Sequence, residues 1–251
     1  MKQIVKNKSD YYMDTSENFS TLIEYPYGEK DPCALVELIA RTKLHGEKYI
    51  CDQMPVLAAR VSHASSGKTG KDFEGDKKLM NYLAKNKHFS PFEHQSATFK
   101  IVTPIFVTRQ WMRHRTQSYN EVSMRYSQDP VGKFYYPHTW RQQSSRNKQL
   151  GVGGVEDQKG CFEILKKAYK NALNSYIGLL KKGVCREQAR MVIPVGNYTQ
   201  FYATANLRNW MAFYKLRIAE DAQWEIRQYA KSIDNIFNKI WPDAWNSLKE
   251  A

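Results

Sequence analysis

Apolar and polar positions alternate in SATFKIV, residues 96–102, where Ala97, Phe99 and Ile101 fall on one side. A period of two over that length predicts a strand with one buried face. Pro104 follows, placed to open a helix through PIFVTRQWMRHR, residues 104–115. Residues 32–44, PCALVELIARTKL, bring Leu35, Leu38 and Ile39 to helical spacing behind a proline and predict another helix. Helical patterning dominates the C-terminal half. Over residues 161–183, Phe162, Leu165, Tyr169, Leu173, Tyr176 and Leu180 recur at helical spacing, and Gly183 supplies a stop. REQARMVIP, residues 186–194, is expected as a short helix ended by Pro194. Residues 204–218 and 221–241 predict two longer helices, the second closing before Pro242.

Three stretches break the pattern. The first 31 or so residues are polar and read as a loosely packed arm. Residues 63–78, HASSGKTGKDFEGDKK, are rich in Gly, Ser and Lys and read as a mobile loop. Residues 139–160, TWRQQSSRNKQLGVGGVEDQKG, look like an insertion or lid. Helices around at least one strand make the fold class α+β, and 251 residues suit one domain, 1–251, better than two.

Composition narrows the class. Apolar residues make up 42% and aromatics 13%, a globular balance. No apolar run approaches the roughly eighteen residues of a membrane span. The N-terminal MKQIVKNKSDYYMDTSENFS lacks the apolar centre of a signal peptide, so a cytoplasmic protein is expected. Cys33, Cys51, Cys161 and Cys185 lie far apart with no metal-ligand spacing. They predict reduced, buried thiols and no metal site. Lys and Arg number 38 against 25 acids, a formal charge of +13. That excess favours polyanionic partners, whether nucleic acid, a membrane surface or small phosphorylated ligands.

One stretch concentrates the chemistry. RQWMRHRTQSYNEVSMRYS, residues 109–127, carries Arg109, Arg113, Arg115, Arg125 and His114 beside Glu121, Asn120 and several hydroxyls. On a helix continuing from Pro104, Gln110, Arg113 and His114 share one face. In an extended chain beyond it, Glu121, Ser123 and Arg125 point the same way. Such a helix end and strand would aim these groups at one pocket. Guanidinium forks suit phosphate, while Ser, Gln and Asn read neutral polar edges such as a pyrimidine. A surface arginine cluster gripping nucleic-acid backbone is the competing reading, although a uniform phosphate clamp has little need of Glu121.

RHRTQSYNEVS matches the RHR-x7-S signature of flavin-dependent thymidylate synthases, with Arg113, His114, Arg115 and Ser123 at the required spacing. AARVSHAS (58–65), HFSPFEH (88–94), CREQARMVIP (185–194), ANLRNWMAFYKLR (205–217) and AQWEIRQYA (222–230) resemble further family segments in the expected order. The resemblance spans roughly residues 57–245. It implies an α+β fold with a central antiparallel sheet and flanking helices. It also implies reductive methylation of dUMP to dTMP, with 5,10-methylenetetrahydrofolate as carbon donor and NADPH as reductant through FAD. No cysteine nucleophile is needed, and none lies near the motif.

Carried over position by position, Arg113, His114, Arg115, Ser90, Asn206 and Arg208 resemble flavin-site residues, with Glu121 counted there too. His88 and Glu93 resemble residues on the flavin or folate side. Gln110, Arg113, Glu121, Ser123, Arg125, Arg190 and Arg217 resemble dUMP contacts. Arg217 matches the catalytic arginine that favours the N3-ionised uracil. Ser123 is expected to position ligand, since an unactivated hydroxyl is a weak nucleophile. Trp210, Phe213, Tyr214 and Trp224 are expected in the core. Ala212 and Asp221 stand where some relatives have asparagine and histidine, and Asp221 is a candidate partner for Arg217. The family assembles as a homotetramer with shared active sites, which makes the chain its own partner. It needs neither nucleic acid nor membrane, and dUMP, FAD, NADPH and folate are all anions suited to the +13 charge. A flavoprotein of the same fold acting on another pyrimidine nucleotide remains the second reading.

Overall fold

A computed structural model describes residues 20–24, 30–45, 51–62 and 72–251. Its centre is a five-stranded antiparallel sheet in the order β1-β2-β3-β7-β4. The strands are β1 (Ser20–Glu24), β2 (Lys30–Arg41), β3 (Ser96–Pro104), β4 (Ser118–Glu121) and β7 (Tyr198–Asn206). The antiparallel sheet with flanking helices agrees with the α+β expectation.

β3 is the predicted strand, with Ala97, Phe99 and Ile101 buried on alternate positions. Its partner β7 pairs along its whole length, from Ser96↔Asn206 to Pro104↔Tyr198. The periodicity in TQFYATAN, burying Phe201, Ala203 and Ala205, was the unread signal for β7. Residues 204–206, expected as helix, complete this strand. Asn206 then caps the next helix by accepting the Asn209 N–H at 2.9 Å.

Residues 32–44, expected as helix, lie largely in β2. Leu35, Leu38 and Ile39 fit a helical stripe, but a run this short fits a strand equally well. Tertiary pairing decides, because β1 and β3 satisfy the β2 backbone from both sides and Ala34 and Val36 bury at period two. β1 lies inside the expected loose arm and forms the sheet edge, while residues 1–19 and 25–29 of that arm fall outside the described residues.

Helices α6 (Leu207–Ile218), α7 (Trp224–Ile240) and α8 (Pro242–Glu250) supply much of the rest of the core. Phe99 of β3 meets Trp210 and Phe237 edge-on at 5.0 and 5.4 Å between ring centroids. Phe237 in turn stacks on Trp245 at 4.5 Å. Trp210 and Phe213 are fully buried, as expected, while Tyr214 and Trp224 are half-buried. α8 was not anticipated; Asp52 caps its start, accepting N–H groups of Asp243 and Ala244 at 2.6 and 3.1 Å.

α1 (Met54–Val61) and α2 (Phe73–Lys85) complete that layer. The loop expected over 63–78 is helical from Phe73, where Asp72 accepts the Gly75 N–H at 2.9 Å. Residues 63–71 lie outside the described residues. α4 (Gln158–Lys181) covers the predicted long helix, and α5 (Arg186–Ala189) with a following 3-10 turn covers the predicted short one. Within the polar stretch 139–160, β5 (Gln142–Gln143) and β6 (Gly151–Val152) pair as a small hairpin. Of the cysteines expected to be buried, Cys33 and Cys161 are half-buried and Cys185 is exposed, all three as free thiols.

Candidate active site

α3 (Ile105–Trp111) opens behind Pro104 as predicted, but ends at Trp111 rather than continuing to residue 115. Met112 closes it, donating its N–H to the Thr108 carbonyl at 2.9 Å. Gln110, Arg113 and His114 therefore do not share a helix face. They meet around a turn whose floor is the buried Trp111.

A helix end leaves carbonyls without helical donors. The Gln110 carbonyl takes Nη2 of Arg217 at 2.7 Å, a cation where the helix dipole favours one. Arg217 lies in the last turn of α6. Its Nε donates to Nε2 of His114 at 3.0 Å, and the imidazole packs against Phe213 with centroids 4.9 Å apart. Burial, then the Arg217 charge, pulls the His114 pKa down to about 4. The ring is neutral at pH 7, and accepting at Nε2 leaves its proton on Nδ1. Burial also lowers the Arg217 pKa, though a guanidinium keeps its proton. Arg217 thus bonds His114 and a carbonyl, and not Asp221, the partner considered for it.

Side chains outside the motif brace the turn. Tyr119 of β4 directs its hydroxyl at the carbonyls of Trp111 and His114, 3.1 and 2.9 Å away, and burial raises its pKa. Asn209 donates Nδ2 to the Thr116 carbonyl at 3.2 Å. The Gln110 side chain, expected on the nucleotide, donates to Oε1 of Gln223 at the start of α7. Gln223 and Asn209 went unassigned because their segments resemble the family without marking which residues act. On the turn itself Arg113 and Arg115 are exposed. Among the described residues, neither has an acid at ion-pair distance.

A second group gathers where the 3-10 turn Ser90–His94 meets the start of α6. Glu93 pairs with Arg208, whose guanidinium carbon lies 5.3 Å from the Phe89 ring centroid. Ser90, His88 and His94 are exposed beside them, so neither histidine is a core residue.

The third group departs most from expectation. β4 ends at Glu121, so Glu121, Ser123 and Arg125 do not line one strand face. Glu121 accepts from Oγ1 of Thr199 on β7 at 2.7 Å. Ser123 Oγ caps the following turn, accepting the Arg125 N–H at 3.2 Å. Arg125 swings to Glu187 of α5, 2.9 Å away, and Arg190 donates Nε to the Glu187 carbonyl at 3.3 Å. Arg125, Tyr126, Cys185, Arg186 and Glu187 line part of an open cavity of about 580 Å³.

Sequence and fold comparisons agree on kinship. The profile described as thymidylate synthase complementing protein matches residues 44–243. The chain is 45% identical over 199 residues to the flavin-dependent thymidylate synthase of Thermus thermophilus, covering 79% of this chain and 72% of that one. It is 43% identical over 193 residues to that of Thermosipho africanus, covering 76% and 83%. The solved structure of a UMP/dUMP methylase, PolB from Streptomyces cacaoi bound with 5-Br dUMP, matches with TM-score 0.74 and 33% identity over 86% of this chain and 94% of that one. The chain belongs to the thymidylate synthase complementing protein family, that of the flavin-dependent thymidylate synthases.

Proposed function

We propose that this chain methylates dUMP to dTMP as an FAD-dependent thymidylate synthase, taking the one-carbon unit from 5,10-methylenetetrahydrofolate and reducing equivalents from NADPH. The observation that carries the reading is the Arg217–His114 pair beside the guanidiniums of Arg113 and Arg115, which have no acid partner among the described residues. A site for dUMP and flavin needs one fixed cation for charge developing on the pyrimidine and others free to take phosphate.

The residues present fit FAD. Arg113 and Arg115 are cations without acid partners among the described residues, and Arg208 is held by an exposed pair to Glu93 and by the Phe89 ring. Such a pair is worth about 0.2–1 kcal/mol and yields readily to a dianionic ligand. Ser90 and Asn206 add hydroxyl and amide, although Asn206 Oδ1 already caps α6. Reduced flavin supplies the hydride when bound.

This chain's own residues position and polarise. Arg217 stabilises negative charge on the uracil and favours its N3-ionised form. Neutral His114 accepts from Arg217 and so orients it without adding a second positive charge. Gln110, Glu121, Ser123, Arg125 and Arg190 hold the nucleotide, and His88 and Glu93 face the folate or flavin side. The Glu121 carboxylate, held by Thr199, suits a sugar hydroxyl.

The chain acts as one catalytic domain, in the cytoplasm, as a homotetramer whose subunits share the sites. Among the described residues, Met191, Val192 and Val195 expose apolar side chains close together in sequence, and a subunit interface over them would cover that surface. A fully active monomer on dilution would overturn the shared site. Among the described residues no helix is long and apolar enough to cross a membrane.

The decisive assay is tritium release from dUMP labelled at C5, with FAD, NADPH and methylenetetrahydrofolate present and each omitted in turn. Release that needs all three supports the reaction. Bound flavin and bound dUMP without release would move the error to the substrate or the electron donor. Because PolB from Streptomyces cacaoi is a UMP/dUMP methylase, UMP belongs in the same assay as a competing substrate.

A further inference from the structure

The start of α7 is held by contacts away from the reacting groups. Gln223, just before the helix, accepts from the Gln110 side chain. Glu225, in the first turn, is buried, and its carboxylate binds Nη2 of Arg141 through both oxygens at 2.8 and 3.0 Å. Tyr135 adds its hydroxyl to the same carboxylate at 3.1 Å. Arg141 belongs to the polar stretch 139–160, and its guanidinium carbon lies 5.7 Å from the Trp224 ring centroid.

These contacts run in series toward Arg217. The ion pair fastens the start of α7, since a buried carboxylate held by a half-buried guanidinium and a phenol tolerates little displacement. Gln223 is two residues from Glu225 and cannot move independently of it. α3 is seven residues long, too short to hold its own C-terminal end by helical bonds alone. Gln223 grips that end by the Gln110 side chain, and the carbonyl of the same residue carries Arg217.

We propose that Gln223 is a positioning residue for Arg217, acting through Gln110 and itself fixed by the Arg141–Glu225 pair. This assigns the polar stretch 139–160 a structural task in the reaction, a strap rather than only a cover. The consequence for turnover rests on the reading of Arg217 given above; the mechanical link does not.

The test is Gln223→Ala, with two independent readouts. Nuclear magnetic resonance titration of His114 reports on Arg217, because burial first and then the neighbouring guanidinium hold the imidazole pKa near 4, and displacing Arg217 disturbs both. Loosening Arg217 moves that pKa upward toward 6.5, with flavin binding and melting temperature near wild type. Turnover falls between about ten- and a hundredfold, the scale of a misplacement near 1 Å, with a smaller change in KM for dUMP. Gln223→Glu keeps the accepting oxygen and restores both readouts. Arg141→Ala moves both the same way as Gln223→Ala.

An unchanged His114 titration in Gln223→Ala overturns the proposal, even if activity falls. A shifted titration with undiminished turnover supports the link and overturns the catalytic role of Arg217 instead.

Discussion

Arg217 at the end of α6 and His114 in the turn after α3 share one hydrogen bond, 3.0 Å from Nε to Nε2, across 103 residues of sequence. With Nη2 on the Gln110 carbonyl, two of the three guanidinium nitrogens are fixed by protein. Arg217→Ala should keep the fold and bound flavin and lose turnover by about a hundredfold or more, the scale of one lost electrostatic donor. Arg217→Lys should fare little better, because an ammonium cannot serve both acceptors from one plane. Steady-state rates beside the flavin absorbance spectrum check both. A near-normal rate in either would remove Arg217 from its role.

Burial of His114, with Arg217 beside it, sets a pH dependence of stability. Unfolded, His114 takes up its proton near 6.5; folded, near 4. Between those values the unfolded chain binds more protons, so stability falls as pH drops through the window. The contribution is complete above 6.5. His114 is only half-buried, which leaves solvent to screen part of the effect. Melting temperatures from pH 7.5 to 4 should converge between wild type and His114→Asn as pH falls. A constant gap would show that His114 titrates normally.

Gly196 is required by Tyr169. A Cβ at Gly196 would stand 2.0 Å from the Tyr169 hydroxyl, which donates to the Tyr135 carbonyl at 3.0 Å. Gly196→Ala should cost about 1–3 kcal/mol, the usual range for overpacking. Adding Tyr169→Phe removes the clashing oxygen, so the double variant should be less destabilised than the two single losses summed. Thermal unfolding of all four proteins decides this, and simple additivity would place the clash elsewhere.

Arg208→Ala separates binding from stability. Its pair with Glu93 is exposed and contributes at most about 1 kcal/mol. Stability should barely change, while flavin retention through gel filtration should drop. Flavin held at wild-type occupancy would exclude Arg208 from that site.

The sequence by itself determined the family and the longest elements. The RHR-x7-S spacing survives any packing because it is local, and β3, α4 and α7 announce themselves by sustained periodicity. The sequence also held Ala34 and Val36, yet over the short span of β2 their period of two competes with a helical stripe, and only pairing with β1 and β3 settles it. The alternation in β7 ran into the helical pattern of α6 until the Asn206 cap divided them. Site geometry was decided entirely by tertiary contact. Whether α3 ends at Trp111, whether Arg125 meets Glu187, and what holds Arg217 depend on partners from 62 to 107 residues away in sequence. Local propensity carries no information about such partners, because the energy that selects them exists only once α6 and α7 have packed against the sheet.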